Sequence, residues 1–206
     1  MKSKIHIIEV ENNETQSIEK IIKKIRENKI IYIKNKFSKN EELIDPINEN
    51  GPAIILNSSG SSGKPRKCFH HLDNLKLSAA ISGQWLKEQG FELQNCLIFN
   101  TLPLNHISGL MPIFRSQTWG CDCINISPNL IKKTRELLLF TIKSKKNKKH
   151  LITSLVPTQL KRLLAEKDGI NWLKVFDLIW VGGASINRET AEKCIEEQIK
   201  LAPCYG

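Results

Sequence analysis

"AIILNSSGSSGKPR", residues 53–66, decides how the rest of the chain is read. The apolar run Ala53 to Leu56 has the length and composition of a short buried strand. It leads into Ser58 to Arg66, a segment of two glycines, four serines, one proline, one lysine and one arginine. Such a segment cannot pack a core. Consecutive backbone N–H groups in a Gly/Ser loop converge on an anion, and serine hydroxyls add donors. Lys64 and Arg66 add positive charge, so a chain of phosphates is the natural guest. The stretch is not a Walker A loop. Ser58 stands where that pattern needs a glycine, and Pro65 follows the lysine where it needs Ser or Thr. Composition alone would make the stretch a flexible linker. Its position argues otherwise: a strand precedes it directly, a helix opens soon after it, and linkers do not usually interrupt a β–α unit.

Upstream, "IIYIKN" (30–35) predicts a strand. Downstream, "DNLKLSAAISGQWLKEQG" (73–90) predicts a helix with Leu77, Ile81 and Trp85 on one apolar face, Asp73 as cap and Gly90 as terminator. "CLIFN" (96–100) has a buried-strand pattern, and "CDCINI" (121–126) alternates like a half-buried one. Residues 129–143 read as a helix centred on Leu137, Leu138 and Leu139. "LITSLV" (151–156) is a strand, after which Pro157 suits the first position of a helix carrying Leu160, Leu163 and Leu164. "DLIWV" (177–181) is a strand followed by a Gly-Gly turn. Asn187 then caps a helix bearing Ala191, Cys194 and Ile195, and "LAPCYG" (201–206) begins another strand. This alternation predicts an α/β fold, a largely parallel sheet flanked by helices. Ligands of such sheets gather at the carboxyl ends of the strands, here 57–66, 100–109, 157–159 and 182–186. Residues 1–50 are more polar and weakly patterned, so they stand as an N-terminal segment of undefined character. Residues 51–206 read as the α/β domain.

The chain has 206 residues, 40% hydrophobic and 25% charged, which are globular values. Its net charge of +10 favours anionic partners without choosing among them. "KSKKNKK" (143–149) is the one charge run and reads as a solvated helix end or loop rather than a grip on a phosphate backbone. Six cysteines show neither zinc-knuckle nor Cys-x-x-Cys spacing and are expected to be reduced thiols acting as small core residues. No apolar run approaches membrane-spanning length, and the N-terminal apolar stretch is broken by His6 and Glu9. A soluble cytoplasmic protein is expected, with neither nucleic acid nor membrane as partner.

Residues 58–66 resemble the phosphate loop of the adenylate-forming acyl-CoA ligase superfamily, [Ser/Thr]-[Ser/Thr]-Gly-[Ser/Thr]-[Ser/Thr]-Gly-x-Pro-Lys. Arg66 replaces the final lysine, which keeps the charge while changing a point charge into a planar fork. Three further segments follow in the family's order. "LPLNHISGL" (102–110) resembles the motif that lines the acyl pocket, "WVGGASI" (180–186) the turn beside the adenine, and "YG" (205–206) the start of a Tyr-Gly-x-Thr-Glu segment. "HISGLMPIFRS" (106–116) and "SLVPTQLKRLL" (154–164) look like the branch of the superfamily that takes o-succinylbenzoate, in menaquinone or phylloquinone synthesis.

The resemblance implies an ATP-dependent acid–thiol ligase. A carboxylate attacks the α-phosphorus of ATP to give an acyl-adenylate, and the thiol of coenzyme A then displaces AMP. Mg²⁺ would share the neutralisation of the phosphates. Ser58, Ser59, Gly60, Ser61, Ser62, Gly63, Lys64 and Arg66 are then the phosphate contacts. Gly182, Gly183 and Ala184 would let the backbone approach the purine, on which Tyr205 would stack beside Gly206; an ordinary strand-to-helix turn accounts equally for the glycines. His106 is the candidate catalytic residue, near the acyl carboxylate or gating its pocket, against the alternative of a helix-start histidine bonded to backbone. Ser108 and Gly109 fit an acyl-pocket wall. Arg115 could pair with the second carboxylate of succinylbenzoate or be a structural arginine. Thr158 and Gln159 could contribute polar contacts or be surface positions. His70 and His71 read as surface residues. No metal ligand is assigned.

On the same resemblance the chain is expected to be the N-terminal part of such an enzyme, without the mobile C-terminal domain and with little ligase activity of its own. Self-association, or a second chain completing the domain, is expected with it. A non-catalytic nucleotide- or polyanion-binding module is the alternative, and a decayed or split product a third.

Overall fold

A computed structural model of the chain describes residues 4–11, 15–37, 51–58 and 66–204. It divides into two units, residues 1–81 with 103–118 and residues 82–102 with 119–206.

The first unit begins with Ile5–Val10 (β1), Thr15–Arg26 (α1) and Ile30–Asn35 (β2), followed by Ala53–Ser58 (β3) and Arg66–His71 (β4). The sheet order is β1-β2-β3-β4. The first three strands are parallel, and β4 runs antiparallel to β3. Period-2 alternation sends Ile31, Ile33, Ile54 and Leu56 to one face. There they pack with Ile21 and Ile25 of α1, Leu75 and Ala79 of Leu72–Glu88 (α2), and Leu110 and Phe114 of Ile107–Trp119 (α3). Ile30, Tyr32 and Ile55 form a smaller cluster on the other face. Asn57 donates from its side-chain amide to the Tyr32 hydroxyl at 3.0 Å.

The second unit holds Cys96–Asn100 (β5), Asp122–Asn125 (β6), His150–Leu155 (β7), Leu178–Val181 (β8) and Leu201–Pro203 (β9), all parallel, in the order β6-β5-β7-β8-β9. Leu97, Phe99, Leu151 and Ile179 face Leu137 of Thr134–Lys145 (α4), Leu160 and Leu163 of Pro157–Leu164 (α5), Trp172 of Lys167–Lys174 (α6) and Cys194 of Arg188–Glu196 (α7). Cys96, Ile98, Ile152 and Trp180 point the other way, to Leu86 and Trp119. Two buried hydroxyls tie neighbouring elements within a layer. Thr153 donates to the Phe99 carbonyl at 2.7 Å, and Thr141 accepts from the Trp172 indole at 2.8 Å. Helices α5 and α6 pack so closely that a Cβ on Gly169 would overlap the Leu163 carbonyl.

The α/β class expected from the sequence is the class observed, with parallel pairing between all neighbours except β3 and β4. Gly90 ends its helix in the left-handed region (φ +83°), Pro157 opens α5, and the Asn187 side chain accepts from the Thr190 N–H at 3.0 Å. Three readings are corrected. The strands form two sheets rather than one. The apolar stripe of α2 is misplaced: Leu72, Leu75, Ala79 and Leu86 are buried, while Leu77, Ile81 and Trp85 are exposed. Asp73 lies inside the first turn of α2 rather than before it.

The cysteines are free thiols. Only Cys96 and Cys194 are buried as small core residues; Cys68, Cys121 and Cys123 are half-buried and Cys204 is exposed. Desolvation pushes the Cys96 thiol up to about 11 and those of Cys121 and Cys123 up to about 12, so these three are inert.

Candidate functional site

In the first unit, Ser58 is the last residue of β3 and Arg66 the first of β4, and the two are Cα partners across the antiparallel pair. Ser59, Gly60, Ser61, Ser62, Gly63 and Lys64 lie outside the described residues. The donor-rich segment therefore joins two paired strands, where the sequence reading placed it between a strand and a helix. The polar sequence of β4, RKCFHH, hides its strand character. Ser58 is half-buried and Arg66 exposed. His70 stands opposite Ile54, on the face that carries the main core, and is half-buried rather than a surface residue. That burial pulls its imidazole below the ordinary value of 6.5.

The segment 102–110 enters α3 through buried Leu104 and Leu110. His106 donates its N–H to the Pro103 carbonyl at 3.1 Å, and its own carbonyl accepts from Gly109 at 3.1 Å and Leu110 at 3.0 Å. Its backbone thus starts the helix while its imidazole is exposed. Ser108 is exposed and Gly109 buried. Arg115 is half-buried on the same helix. Nine residues make about two and a half turns, which puts Arg115 on the side of the helix opposite His106. Seven residues make about two turns, so Arg115 stands in the column of Ser108.

In the second unit the chain leaves β5 for β6 on one side and returns to β7 on the other. The carboxyl ends of β5 and β7 thus flank a topological switch point, the usual place for a ligand in such a sheet. Thr101, buried, donates to the Ser154 carbonyl at 2.8 Å. Gln159 bridges the same two strand ends, accepting from the Val156 N–H at 3.1 Å and donating to the Thr101 carbonyl at 3.3 Å. Read from sequence alone, Gln159 had no structural task and Thr101 was passed over. The signal for both is their position just past a parallel strand. Thr158 is exposed in the first turn of α5.

One strand over, Gly182 donates to the Leu155 carbonyl at 3.2 Å. Gly183 has φ +86°, a conformation that requires glycine here whatever binds. Gly183 and Ala184 border an apolar groove of about 780 Å³ lined also by Val181, Ile186, Cys194 and Leu201. Tyr205 and Gly206 lie outside the described residues. The structure therefore brings Thr158, Gly182, Gly183 and Ala184 to one end of the second sheet. Ser58, Arg66, His106, Ser108, Gly109 and Arg115 belong to the first unit. Among the described residues no three His, Cys, Asp or Glu side chains converge on a metal site.

A family model described as AMP-binding enzyme matches residues 2–206. The 2-succinylbenzoate–CoA ligase of Bacillus licheniformis is 28% identical over 163 residues, 79% of this chain and 31% of that protein. Among solved structures, a double mutant of o-succinylbenzoate CoA synthetase from Bacillus subtilis, bound with its product analogue OSB-NCoA, superposes with a TM-score of 0.65 at 18% identity, covering 99% of this chain and 48% of that one. The same synthetase in complex with ATP and magnesium ion gives a TM-score of 0.61 at 20% identity, over 96% of this chain and 44% of that one. The chain thus spans about a third of the curated relative's length and under half of either solved chain. At these identities the structural likeness bears on the fold alone. Since the family pattern runs from residue 2 to residue 206, the chain belongs to the AMP-binding enzyme family.

Proposed function

We propose that this chain is the nucleotide- and acyl-binding part of an AMP-forming acid–thiol ligase that activates o-succinylbenzoate for transfer to coenzyme A. The observation that carries the reading is the donor-rich pattern of residues 58–66 on a strand pair whose register closes the segment at Ser58 and Arg66. The chain matches the AMP-binding enzyme pattern throughout, and its curated relative is named for succinylbenzoate.

On this reading the triphosphate of ATP meets the backbone N–H groups and hydroxyls of residues 58–63, with Lys64 and Arg66 offsetting its charge. Holding the phosphates removes much of the entropic cost of aligning the carboxylate with the α-phosphorus. Fixed donors stabilise the charge that shifts onto the departing pyrophosphate. Mg²⁺ brought in with the nucleotide would add to the charge neutralisation that Lys64 and Arg66 supply. Gly182, Gly183 and Ala184 are the residues proposed for the purine, and the last two border the groove of the second unit. Ser108 and Gly109 border the acyl group. His106 contributes an exposed imidazole at the start of α3, and Arg115 a guanidinium for the second carboxylate. Coenzyme A is the co-substrate of the second half-reaction.

Titration of Mg·ATP into the chain tests the reading. Saturable binding is expected, weakened about a hundredfold or more when Ser61 and Ser62 are both replaced by alanine, because two hydrogen bonds to a charged oxygen are lost. Binding that ignores that double substitution sinks the assignment of the loop. For the acyl group, o-succinylbenzoate should bind more tightly to the nucleotide-loaded chain than benzoate does, and Arg115→Gln should erase the preference. An unchanged preference would remove Arg115 from the site.

A further inference from the structure

The lysine run 143–149 takes no part in the reading above, and in the structure it closes α4. This helix buries Thr134, Leu137 and Thr141 against the second unit's core. It nevertheless leaves Leu139, Phe140 and Ile142 at 60%, 39% and 55% exposure. At about 100° per residue, Arg135, Leu139, Ile142 and Lys143 lie on one side of the helix, opposite Leu137 and Thr141. Phe140 borders that side.

The cations around these apolar residues fall into two groups. Lys133 pairs with Glu136 at 3.1 Å, Lys148 with Asp122 at 2.9 Å, and Lys149 with Glu92. Arg135, Lys143, Lys145 and Lys146 are exposed and make no ion pair among the described residues. A solvated helix end explains the lysines but not three large apolar side chains in water. A polyanion such as nucleic acid would satisfy the cations and leave the apolar centre without a role. An anionic bilayer satisfies both. Apolar side chains enter the boundary between headgroups and acyl chains, while lysines and arginines at the rim meet lipid phosphates. The chain's net charge of +10 adds long-range attraction to such a surface. No helix among the described residues is long and apolar enough to span a bilayer, so attachment through this face is peripheral.

We propose that the outer face of α4 is a docking surface for an anionic lipid bilayer, with Leu139 and Ile142 inserted, Phe140 at the edge of the contact, and Arg135, Lys143 and Lys146 on the headgroups. This surface shares no residue with the proposed ligase site, so either assignment can fail without the other.

The test is co-sedimentation of the whole chain with phosphatidylcholine vesicles, with and without phosphatidylglycerol. Binding should require phosphatidylglycerol and weaken with salt. Lys143→Gln and Lys146→Gln should each cost about fivefold in affinity. Leu139→Gln with Ile142→Gln should cost at least about tenfold, since two inserted aliphatic side chains are lost. These residues are exposed, and thermal melts followed by circular dichroism will show whether the variants fold; if the apolar double variant does not, the two lysine variants carry the test. Leu77→Gln with Ile81→Gln, on the exposed stripe of α2, should leave binding unchanged. Three results would overturn the proposal: no binding to phosphatidylglycerol vesicles, equal binding without it, or equal weakening by the α2 pair. Salt-sensitive binding that a folded Leu139/Ile142 double variant retains would also overturn it and point to a soluble polyanion instead.

Discussion

Two side chains show how single residues set local stability. The indole N–H of Trp172 is fully buried and has its partner in the Thr141 hydroxyl at 2.8 Å. Thr141→Val keeps the shape and removes the acceptor, so a desolvated donor is left without a bond. Urea denaturation should show a loss of about 1–3 kcal/mol; an unchanged midpoint would mean that the bond contributes nothing net. His70 acts through protonation. Burial beside Ile54 holds its imidazole below 6.5, so the folded state prefers the neutral ring and the unfolded chain binds the proton more readily. Its contribution is therefore present above pH 6.5 and is lost as the pH falls from there through the lower folded-state value. Comparing melts at about pH 7.5 and about pH 5.5, the parent should lose more stability than His70→Gln does. An equal loss in both would clear His70 of the effect. Neither contact was legible in the sequence, because Thr141 and Trp172 lie 31 residues apart and Ile54 and His70 meet only across a strand pair that was not foreseen.

Elements were legible where period and punctuation agreed. The buried strands β5 and β8 are short and almost wholly apolar, β7 is an apolar run broken only by Thr153 and Ser154, and Pro157, Gly90 and Asn187 mark helix ends by chemistry that needs no tertiary partner. The failures have physical causes too. In α1, Ile18, Ile21, Ile22 and Ile25 recur at helical spacing, a pattern present in the sequence and passed over among the surrounding lysines. Strand β4 carries charged residues because it is an edge strand, half-buried throughout its middle. For α2 the sequence offered two apolar stripes, and period alone does not say which one faces the core. The structure buries Leu75 to 5% exposure and leaves Leu77 at 59%. Leu75→Ala should therefore cost about 2–5 kcal/mol, as a deletion in a packed core does. Leu77→Ala should stay within about 0.5 kcal/mol of the parent. The reverse order in a denaturant series would restore the sequence's first choice of face.

At the scale of the whole chain, the alternation of strands and helices was enough to give the α/β class. It was not enough to divide the strands into two sheets. Alternation is local, whereas membership of a sheet is settled by register between distant strands, such as Ile31 with Ile54 and Ile98 with Ile152. The division has an energetic consequence. The core that holds Ile21 and the core that holds Leu160 have no residue in common, and both side chains are completely buried. Ile21→Ala and Leu160→Ala should each cost about 2–5 kcal/mol through lost burial and residual cavity. Because neither deletion alters a neighbour of the other, their effects should add to within about 0.5 kcal/mol in the double variant. Denaturant titrations of the parent, both single variants and the double variant close the cycle. A coupling well above that margin would show that the two cores respond as one, and the separation of the chain into two packing units would then be wrong.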